Sequence, residues 1–244
     1  MHRLYGLIGY PLEHSFSMQY FNAKFKQEGI SATYKNFELK HLDDLTNVLQ
    51  QHNDLCGFNV TMPYKQAIIP LLSDLDSSAQ NVGAVNTIKV SNKGLIGYNT
   101  DVFGFEKLWN DNIKTKIHSA VILGNGGATK AVANVLKSKN ISFSIASRNP
   151  KMPNHISYSQ IWSGDNPFQV IINTTPVGMH PFCDDIPPID TSKINDSHIV
   201  IDLIYNPSQT KFLQIAKSQG AKTINGLQML VYQAEKAWNI WNEG

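Results

Sequence analysis

Short apolar runs alternate with amphipathic segments from the start of the chain. Residues 4–8, 33–39 and 56–60 have the length and composition of buried strands, whereas 17–28 and 42–51 have apolar residues at helical spacing. This alternation is typical of βαβ units and not of helical bundles. We therefore predict that the chain begins with an α/β unit.

Two further strands complete the first unit. Residues 84–90 and 95–98 are mainly apolar and are separated by a short polar turn that contains a glycine. The unit is predicted to end near Thr100. A helix is predicted over 101–110, and the polar residues 111–116 after it are suited to a joint between two units.

The second half repeats the alternation around a glycine-rich loop. Residues 119–123 are predicted to form a strand, 124–129 a loop and 130–137 a helix. Later strands are predicted at 143–146, 169–173, 199–204 and 222–224, with a helix at 211–219. The pattern predicts an open parallel sheet with helices on both faces, as in dinucleotide-binding domains of the Rossmann type. The fold class is therefore α/β, with two α/β units.

The glycine-rich loop predicts a phosphate-binding turn. Gly124, Gly126 and Gly127 lie where a strand turns into a helix, and glycines there let a pyrophosphate approach backbone N–H groups at the positive helix end. The third position of the G-x-G-x-x-G fingerprint is Thr129 instead of glycine or alanine. A glycine-rich turn without a ligand is the alternative. The strand, loop and helix in the required order favour a dinucleotide.

The residues after the second strand of this half bear on cofactor choice. NAD enzymes usually place an aspartate or glutamate there for the ribose 2′-hydroxyl, whereas this chain has Ser147, Arg148 and Asn149, with Lys151 beyond. The guanidinium of Arg148 can bind a 2′-phosphate through two N–H groups. NADP is therefore favoured over NAD, and an ordinary solvated loop arginine is the alternative.

Composition excludes several classes of partner. The chain has 244 residues, 42% of them hydrophobic, so it can bury a core. Its 21 lysines and arginines against 19 aspartates and glutamates leave a net charge of +2, too small to favour nucleic acid or a membrane surface as partner. Cys56, Cys183 and the eight histidines show no metal-ligand spacing, and His14 is expected to pack or to cap a helix. No targeting segment or membrane span is apparent, so a cytoplasmic location is expected.

A polar cluster in the first unit predicts substrate chemistry. Asn59 and Thr61 occupy alternate positions at the end of a buried strand, so their side chains should project on one face. Lys65 follows at the start of the next helix, where a lysine alone is most often solvated. Asn86 and Asp101 occur in two later polar segments. The alternative for Asp101 is that its negative charge only interacts favourably with the positive N-terminal end of its helix.

With these segments in order, the sequence resembles the shikimate dehydrogenase family from residue 4 to about residue 241. The motifs that carry the resemblance are 9–17 (GYPLEHSFS), 59–65 (NVTMPYK), 83–87 (GAVNT), 99–101 (NTD), 124–128 (GNGGA), 173–179 (NTTPVGM), 202–207 (DLIYNP) and 226–234 (GLQMLVYQA). The resemblance implies reversible NADPH-dependent reduction of 3-dehydroshikimate to shikimate, on the route to chorismate and the aromatic amino acids. It also implies a substrate-binding domain in residues 1–100, joined by a C-terminal helix at about 226–244, and an NADP-binding domain in residues 101–225.

The resemblance also implies roles for individual residues. Lys65 and Asp101 would be the catalytic pair, and Ser15 and Ser17 would bind the substrate carboxylate. The other residues that would surround the substrate ring are Asn59, Thr61, Asn86, Tyr205 and Gln233. The residues that would contact NADP are Gly124, Asn125, Gly126, Gly127, Ala128, Ser147, Arg148, Asn149, Leu203, Gly226 and Met229.

Four positions depart from the family pattern. Met18 replaces a usual proline, Phe21 replaces a usual histidine, and Ser147-Arg148-Asn149 stands where Asn-Arg-Thr is usual. None of these changes removes a catalytic group.

The chemistry follows from elementary considerations as well. Hydride transfer to a ketone develops an alkoxide, whose charge Lys65 would stabilise. The lysine would either transfer the proton itself or order substrate and water. Two alternative functions remain at this point: a relative that prefers quinate or an amino analogue, and a non-catalytic NADP-binding sensor. The chain is expected to be a monomer or a homodimer.

Overall fold

The computed structural model describes residues 2–12, 15–150, 152–163 and 168–243. His14 and Lys151, both used in the sequence interpretation, lie outside the described residues. The chain divides into two compact units, one formed by Met1–Thr100 with Ala234–Gly244 and the other by Asp101–Gln233. Within the described part of the chain, no helix is both long enough and apolar enough to cross a membrane.

A six-stranded mixed sheet forms the centre of the first unit. Its strands are β1 (Arg3–Gly9), β2 (Ala32–Glu38), β3 (Leu55–Val60), β4 (Asp74–Leu75), β5 (Thr87–Ser91) and β6 (Gly94–Tyr98). The accompanying helices are α1 (Phe16–Gln27), α2 (Leu45–Gln51), α3 (Tyr64–Ala67) and α4 (Ser77–Val82). The strand order is β2-β1-β3-β5-β6-β4, in which β1 is parallel to β2 and β3, while β5 is antiparallel to β3 and β6.

Apolar side chains cover both faces of this sheet. Ile8 of β1 belongs to one buried cluster, together with Phe58 of β3, and Tyr5 belongs to another, together with Phe21 and Phe25 of α1. Side chains alternate between the faces of a strand, so Tyr5 and Ile8 point to opposite faces. Phe21 and Phe25 are four residues apart, which places both on the buried side of α1.

A six-stranded parallel sheet forms the centre of the second unit. Its strands are β7 (Ser119–Leu123), β8 (Ser142–Ala146), β9 (His155–Ile156), β10 (Val170–Asn173), β11 (Ile199–Asp202) and β12 (Lys222–Asn225). The helices are α5 (Thr100–Asn112), α6 (Gly127–Ser138), α7 (Lys211–Ser218) and α8 (Leu227–Asn242), and α8 belongs to the first unit from Ala234 onward.

The order β12-β11-β10-β7-β8-β9 is the doubly wound order of a Rossmann domain. The order reverses between β7 and β10, and ligands of such sheets bind outside the carboxyl ends of the strands at this point. The glycine loop leaves β7 at that position, and Thr174 and Thr175 leave β10 beside it. The predicted fold class, with two α/β units and a Rossmann-type parallel sheet, is confirmed.

Several element boundaries differ from the sequence prediction, and two of them lie beside candidate site residues. The strand predicted over 84–90 begins only at Thr87, because Gly83, in the left-handed conformation at φ +65°, ends α4 and the chain must then cross to β5. On the way, Val85 donates its N–H to the carbonyl of Lys65 at 2.7 Å, which is not a strand pairing. The helix predicted from residue 130 begins at Gly127, since the Thr129 hydroxyl accepts the N–H of Gly126 at 3.0 Å and caps it.

Candidate active site

A buried hydrogen-bond network surrounds Asn59 at the end of β3. Its Oδ1 accepts from the hydroxyl of Tyr34 at 2.8 Å, and its Nδ2 donates to the carbonyl of Asn86 at 3.1 Å and to Oγ1 of Thr87 at 3.0 Å. The side-chain amide therefore uses both of its hydrogens within the protein. Asn59 is held in one orientation, and its exposed fraction is only 5%.

The same network continues to Thr100, where the first segment of the first unit ends. The Nδ2 of Asn86 donates to Oγ1 of Thr100 at 3.0 Å, and the N–H of Thr100 donates to Oδ1 of Asn86 at 2.7 Å. Thr87 lies between them, with its Oγ1 3.2 Å from that of Thr100. All three residues are buried. Asn86 consequently fixes the backbone at the residue that precedes Asp101.

Lys65 lies in α3, a short helix whose backbone is anchored on two sides. The N–H of Tyr64 donates to the carbonyl of Thr61 at 3.0 Å, and the carbonyl of Lys65 accepts from Val85 at 2.7 Å. The hydroxyl of Tyr64 donates to the carbonyl of Leu39 at 2.6 Å. Lys65 and Thr61 are both half-buried. This anchoring places the lysine at the end of the strand that carries Asn59, and it depends on tertiary contacts that the sequence does not indicate.

The two serines flank the start of α1. Ser15 is its N-cap, and its hydroxyl oxygen accepts the N–H of Met18 at 3.1 Å. A proline at residue 18 would have no such N–H, so the departure from the family pattern adds a capping bond and leaves the hydroxyl hydrogen of Ser15 for another acceptor. Burial holds the pKa of Tyr34 well above its usual range, opposed by a hydrogen bond from Ser17. Ser17 therefore lies beside the residue that holds Asn59.

In the second unit, Asp101 and Gln233 lie on two closely packed helices. Asp101 is in the first turn of α5 and Gln233 is on α8, and each is 7% exposed. Gly104 of α5 makes the close approach possible, because a Cβ there would lie 2.7 Å from the carbonyl oxygen of Met229 and 3.1 Å from Cβ of Gln233. Sequence reasoning overlooked Gly104, since a lone glycine within a helix only weakens a helix prediction.

The glycine loop contains one glycine that the fold requires and one that it does not. Gly124 has φ +108°, and a Cβ there would lie 2.8 Å from Cγ2 of Thr175. Gly126 has an ordinary extended backbone, with φ −98° and ψ −168°, and no described atom beyond its chain neighbours lies within 4 Å of its Cβ position. Gly126 lies between β7 and α6, after the carboxyl end of a strand at the switch point of the sheet. This loop therefore fits a phosphate group that must approach the backbone.

Ser147, Arg148 and Asn149 directly follow β8, the strand beside β7. Ser147 is buried and donates its N–H to the carbonyl of Ile156 at 3.0 Å, while its hydroxyl has no hydrogen-bond partner among the described residues. Arg148 and Asn149 are exposed. An exposed guanidinium next to a buried hydroxyl at the carboxyl end of the second strand fits a 2′-phosphate.

Leu203 and Gly226 are brought together at the carboxyl ends of β11 and β12. A Cβ on Gly226 would overlap the carbonyl group of Leu203, and the N–H of Gly226 donates to the carbonyl of Ile204 at 3.2 Å. Only glycine allows this approach. Tyr205 follows and is half-buried, and burial raises the pKa of its hydroxyl. Met229 is buried in the first turn of α8.

Asp202 is a buried carboxylate behind this segment, and the sequence analysis gave it no role. It accepts hydrogen bonds from the hydroxyl of Thr210 at 2.7 Å, Nδ2 of Asn173 at 3.0 Å and the N–H of Ile204 at 3.1 Å. Burial nevertheless raises the pKa of Asp202 to about 6, against the opposing effect of these three donors. The carboxylate joins the chain segments that leave β10 and β11.

The candidate residues are divided between the two units. The first unit holds Ser15, Ser17, Asn59, Thr61, Lys65 and Asn86. The second unit holds the loop of residues 124–128, the segment 147–149, Leu203 and Tyr205 with the start of α8, and the pair Asp101 and Gln233 on α5 and α8. No group of histidine, cysteine, aspartate or glutamate side chains suited to a metal ion occurs among the residues that the structure describes.

Comparisons with known proteins assign this arrangement to a family. Residues 7–88 match the model of the shikimate dehydrogenase substrate binding domain. The chain is 40% identical to a shikimate dehydrogenase (NADP(+)) of Methanococcus maripaludis, over 98% of this chain and 91% of that protein. A crystal structure of shikimate dehydrogenase in complex with NADP+ has a TM-score of 0.89 and 37% identity, covering 99% of this chain and 90% of that one.

A related activity occurs on the same fold. A quinate dehydrogenase from Corynebacterium glutamicum in complex with NAD has a TM-score of 0.88 and 26% identity, covering 99% of this chain and 94% of that one. The greater identity is to proteins named for shikimate and NADP. The chain therefore belongs to the shikimate dehydrogenase family of NADP-dependent oxidoreductases.

Proposed function

We propose that this chain catalyses the reversible NADPH-dependent reduction of 3-dehydroshikimate to shikimate. One observation carries the proposal: six of the nine residues that the family likeness assigns to substrate or catalysis belong to the first unit, and those assigned to NADP lie at or beyond the carboxyl ends of the parallel strands of the second. Residues 1–100 with the C-terminal helix, about 226–244, would form the substrate-binding domain. Residues 101–225 would form the NADP-binding domain.

The glycine loop and the segment after β8 would hold NADPH. The open side of Gly126 would let the pyrophosphate reach the backbone of residues 124–128, and Arg148, with Ser147 and Asn149, would bind the 2′-phosphate. Leu203, Gly226 and Met229 would border the nicotinamide half. When bound, NADPH supplies a hydride to the ketone carbon.

Residues of the first unit would bind and orient the substrate. The hydroxyl hydrogens of Ser15 and Ser17 would donate to its carboxylate, and the oxygen of Ser15 at the same time keeps α1 capped. Ring hydroxyls would be contacted by Thr61 and Asn86 of the first unit and by Asp101, Tyr205 and Gln233 of the second. Asn59 has both amide hydrogens committed to Asn86 and Thr87, so we infer that it acts chiefly by holding the residues around it in place.

Lys65 would act at the carbonyl oxygen of the substrate. Its ammonium would stabilise the negative charge that develops on this oxygen, and would donate a proton to it or hold a water that does. The fixed backbone of α3 supports this role, because a preorganised donor costs little reorganisation during the reaction. Lys65→Ala should therefore lower kcat by about 10² to 10⁴-fold, with a smaller effect on substrate binding.

Oxidation of alternative alcohols tests the proposed substrate. The protein is mixed with NADP+ and either shikimate or quinate, and the absorbance of the reduced nicotinamide is followed. Shikimate should be oxidised with the higher kcat/KM. A preference for quinate would make the chain a quinate dehydrogenase on the same scaffold. Binding of NADP+ without turnover of either alcohol, or of amino analogues, would favour a non-catalytic sensor.

A further inference from the structure

Thr129 lies in the first turn of α6, directly after the glycine loop, and is the position at which the sequence departs from the usual fingerprint. The residue is 1% exposed. Glycine or alanine normally stands at this position so that helix and strand can pack closely. A larger polar side chain here must find hydrogen-bond partners, because a buried hydroxyl without partners is costly. The partners of Thr129 therefore indicate what the hydroxyl does.

Three hydrogen bonds run in sequence through this hydroxyl. The N–H of Gly126 donates to Oγ1 of Thr129 at 3.0 Å, Oγ1 of Thr129 lies 2.7 Å from Oγ1 of Thr174, and Oγ1 of Thr174 donates to the carbonyl of Leu123 at 2.8 Å. Each threonine has one hydroxyl hydrogen. Because Thr174 uses its hydrogen on Leu123, Thr129 must donate to Thr174. The direction of every bond in the series is thereby fixed.

This series joins the glycine loop to both strands at the switch point. Leu123 is the last residue of β7, and Thr174 is the first residue after β10. The same Thr174 hydroxyl would lie 3.0 Å from a Cβ on Gly124, so the loop also passes close beside it. The N–H of Gly126 is committed to Thr129 and is not one of the groups that would meet a pyrophosphate. Its bond instead sets where the remaining backbone of the loop lies.

We propose that Thr129 and Thr174 act as positioning residues that hold the glycine loop in the shape that binds the pyrophosphate of NADPH. The inference rests on the proposed NADPH-dependent function. Loss of either hydroxyl would leave the loop attached to the protein but free to shift relative to β10. Groups that bind the adenosine 2′-phosphate, which lie after β8, would be unaffected.

Binding measurements on matched variants test this role. Thr129→Val and Thr174→Val keep the side-chain shape and remove the hydroxyl, whereas Thr129→Ser keeps the hydroxyl. Calorimetric titration with NADPH should give a Kd raised about five- to tenfold for each valine variant and little changed for Thr129→Ser. The double valine variant should have a Kd for NADPH close to that of either single variant, because the two hydroxyls belong to one series of hydrogen bonds.

Adenosine 2′-monophosphate has the 2′-phosphate but no pyrophosphate. Its binding distinguishes a role in positioning the glycine loop from a role in supporting the whole cofactor site. Its Kd should be the same for wild type and all variants. The positioning role would be overturned if the valine variants lost affinity for this fragment and for NADPH equally, or if their affinity for NADPH were unchanged. If Thr129→Val does not fold, the less buried Thr174→Val decides the question. A wild-type protein that binds no NADPH would overturn the proposed function itself, whereas unchanged NADPH binding by the variants would overturn only this inference.

Discussion

The hydroxyl of Tyr34 holds Oδ1 of Asn59 by a hydrogen bond of 2.8 Å in the interior of the first unit. The opposite amide orientation is excluded, because the carbonyl of Asn86 cannot donate and needs the Nδ2 hydrogen that it now receives. Tyr34 also lies beside Ser17. The hydroxyl of Tyr34 therefore connects Ser17, which is predicted to bind the substrate carboxylate, with the buried hydrogen-bond network around Asn59.

Replacing Tyr34 by phenylalanine should weaken substrate binding. The change leaves Oδ1 of Asn59 without a donor in a buried position, which should lower the free energy of unfolding by about 1–3 kcal/mol. The KM for 3-dehydroshikimate should rise, measured at saturating NADPH. The Kd of NADPH serves as the control and should not change. Equal weakening of cofactor and substrate would show that Tyr34 supports the whole molecule and has no particular link to the substrate site.

The two glycines of the dinucleotide loop should respond differently to alanine. Gly126→Ala adds a methyl group at a position where no atom of another described segment lies within 4 Å, so the free energy of unfolding should be unchanged or slightly raised. The methyl group would occupy the approach of the pyrophosphate, and the Kd of NADPH should rise at least about tenfold.

Gly124→Ala is the matched control for this variant. Gly124 has φ +108° and close neighbours in Thr174 and Thr175, so the alanine should lower the free energy of unfolding by about 1–3 kcal/mol. Thermal or denaturant unfolding and NADPH titration of both variants provide the comparison. Unchanged NADPH affinity in Gly126→Ala would place the pyrophosphate elsewhere.

Arg148→Ala should change cofactor preference. The exposed guanidinium is proposed to meet only the 2′-phosphate, so the variant should bind NADPH about ten- to a hundredfold less tightly and NADH about as well as wild type. Titrations with both cofactors measure this, and equal losses for NADPH and NADH would remove the argument that Arg148 selects NADP.

Asp202 should make stability depend on pH. Its pKa is about 6 in the folded protein against 3.8 for an exposed aspartate, so the folded state binds more protons than the unfolded state between these values. The free energy of unfolding should therefore fall as pH rises from about 4 to about 6, by about 3 kcal/mol from this group. Denaturant unfolding across that range should show a decrease in the free energy of unfolding of wild type and a much smaller decrease for Asp202→Asn. The same dependence of this free energy on pH in both proteins would exclude a raised pKa of Asp202.

Local patterns in the sequence predicted most of the fold. Apolar runs located β1, β3, β7 and β8 to within one or two residues, because burial on a sheet requires such runs. The same rule failed at Ala84 and Val85, which are fully buried in a crossing loop. Burial alone does not distinguish a strand from a tightly packed connection, and the local signal here was Gly83, whose left-handed conformation ends α4.

Residues that act through distant contacts could not be predicted. Tyr34 reads as one aromatic residue of an ordinary strand, and its bond to Asn59 exists only once β2 and β3 flank β1. Gly104 becomes significant only when α8 packs on α5. Thr129 departs from a motif that the sequence shows, but its series of bonds needs Thr174, which directly follows β10 and is 45 residues later in the chain. The individual site roles remain predictions, which the variants above test.

Reduction of 3-dehydroshikimate by NADPH is the direct test of the proposed activity. Initial rates of nicotinamide oxidation are measured with this ketone, using NADPH and, in parallel, NADH, and the product is identified by chromatography. We expect formation of shikimate with one NADPH consumed per molecule formed, and a higher kcat/KM for NADPH than for NADH. Folded protein that binds NADPH but leaves 3-dehydroshikimate unreduced would contradict it.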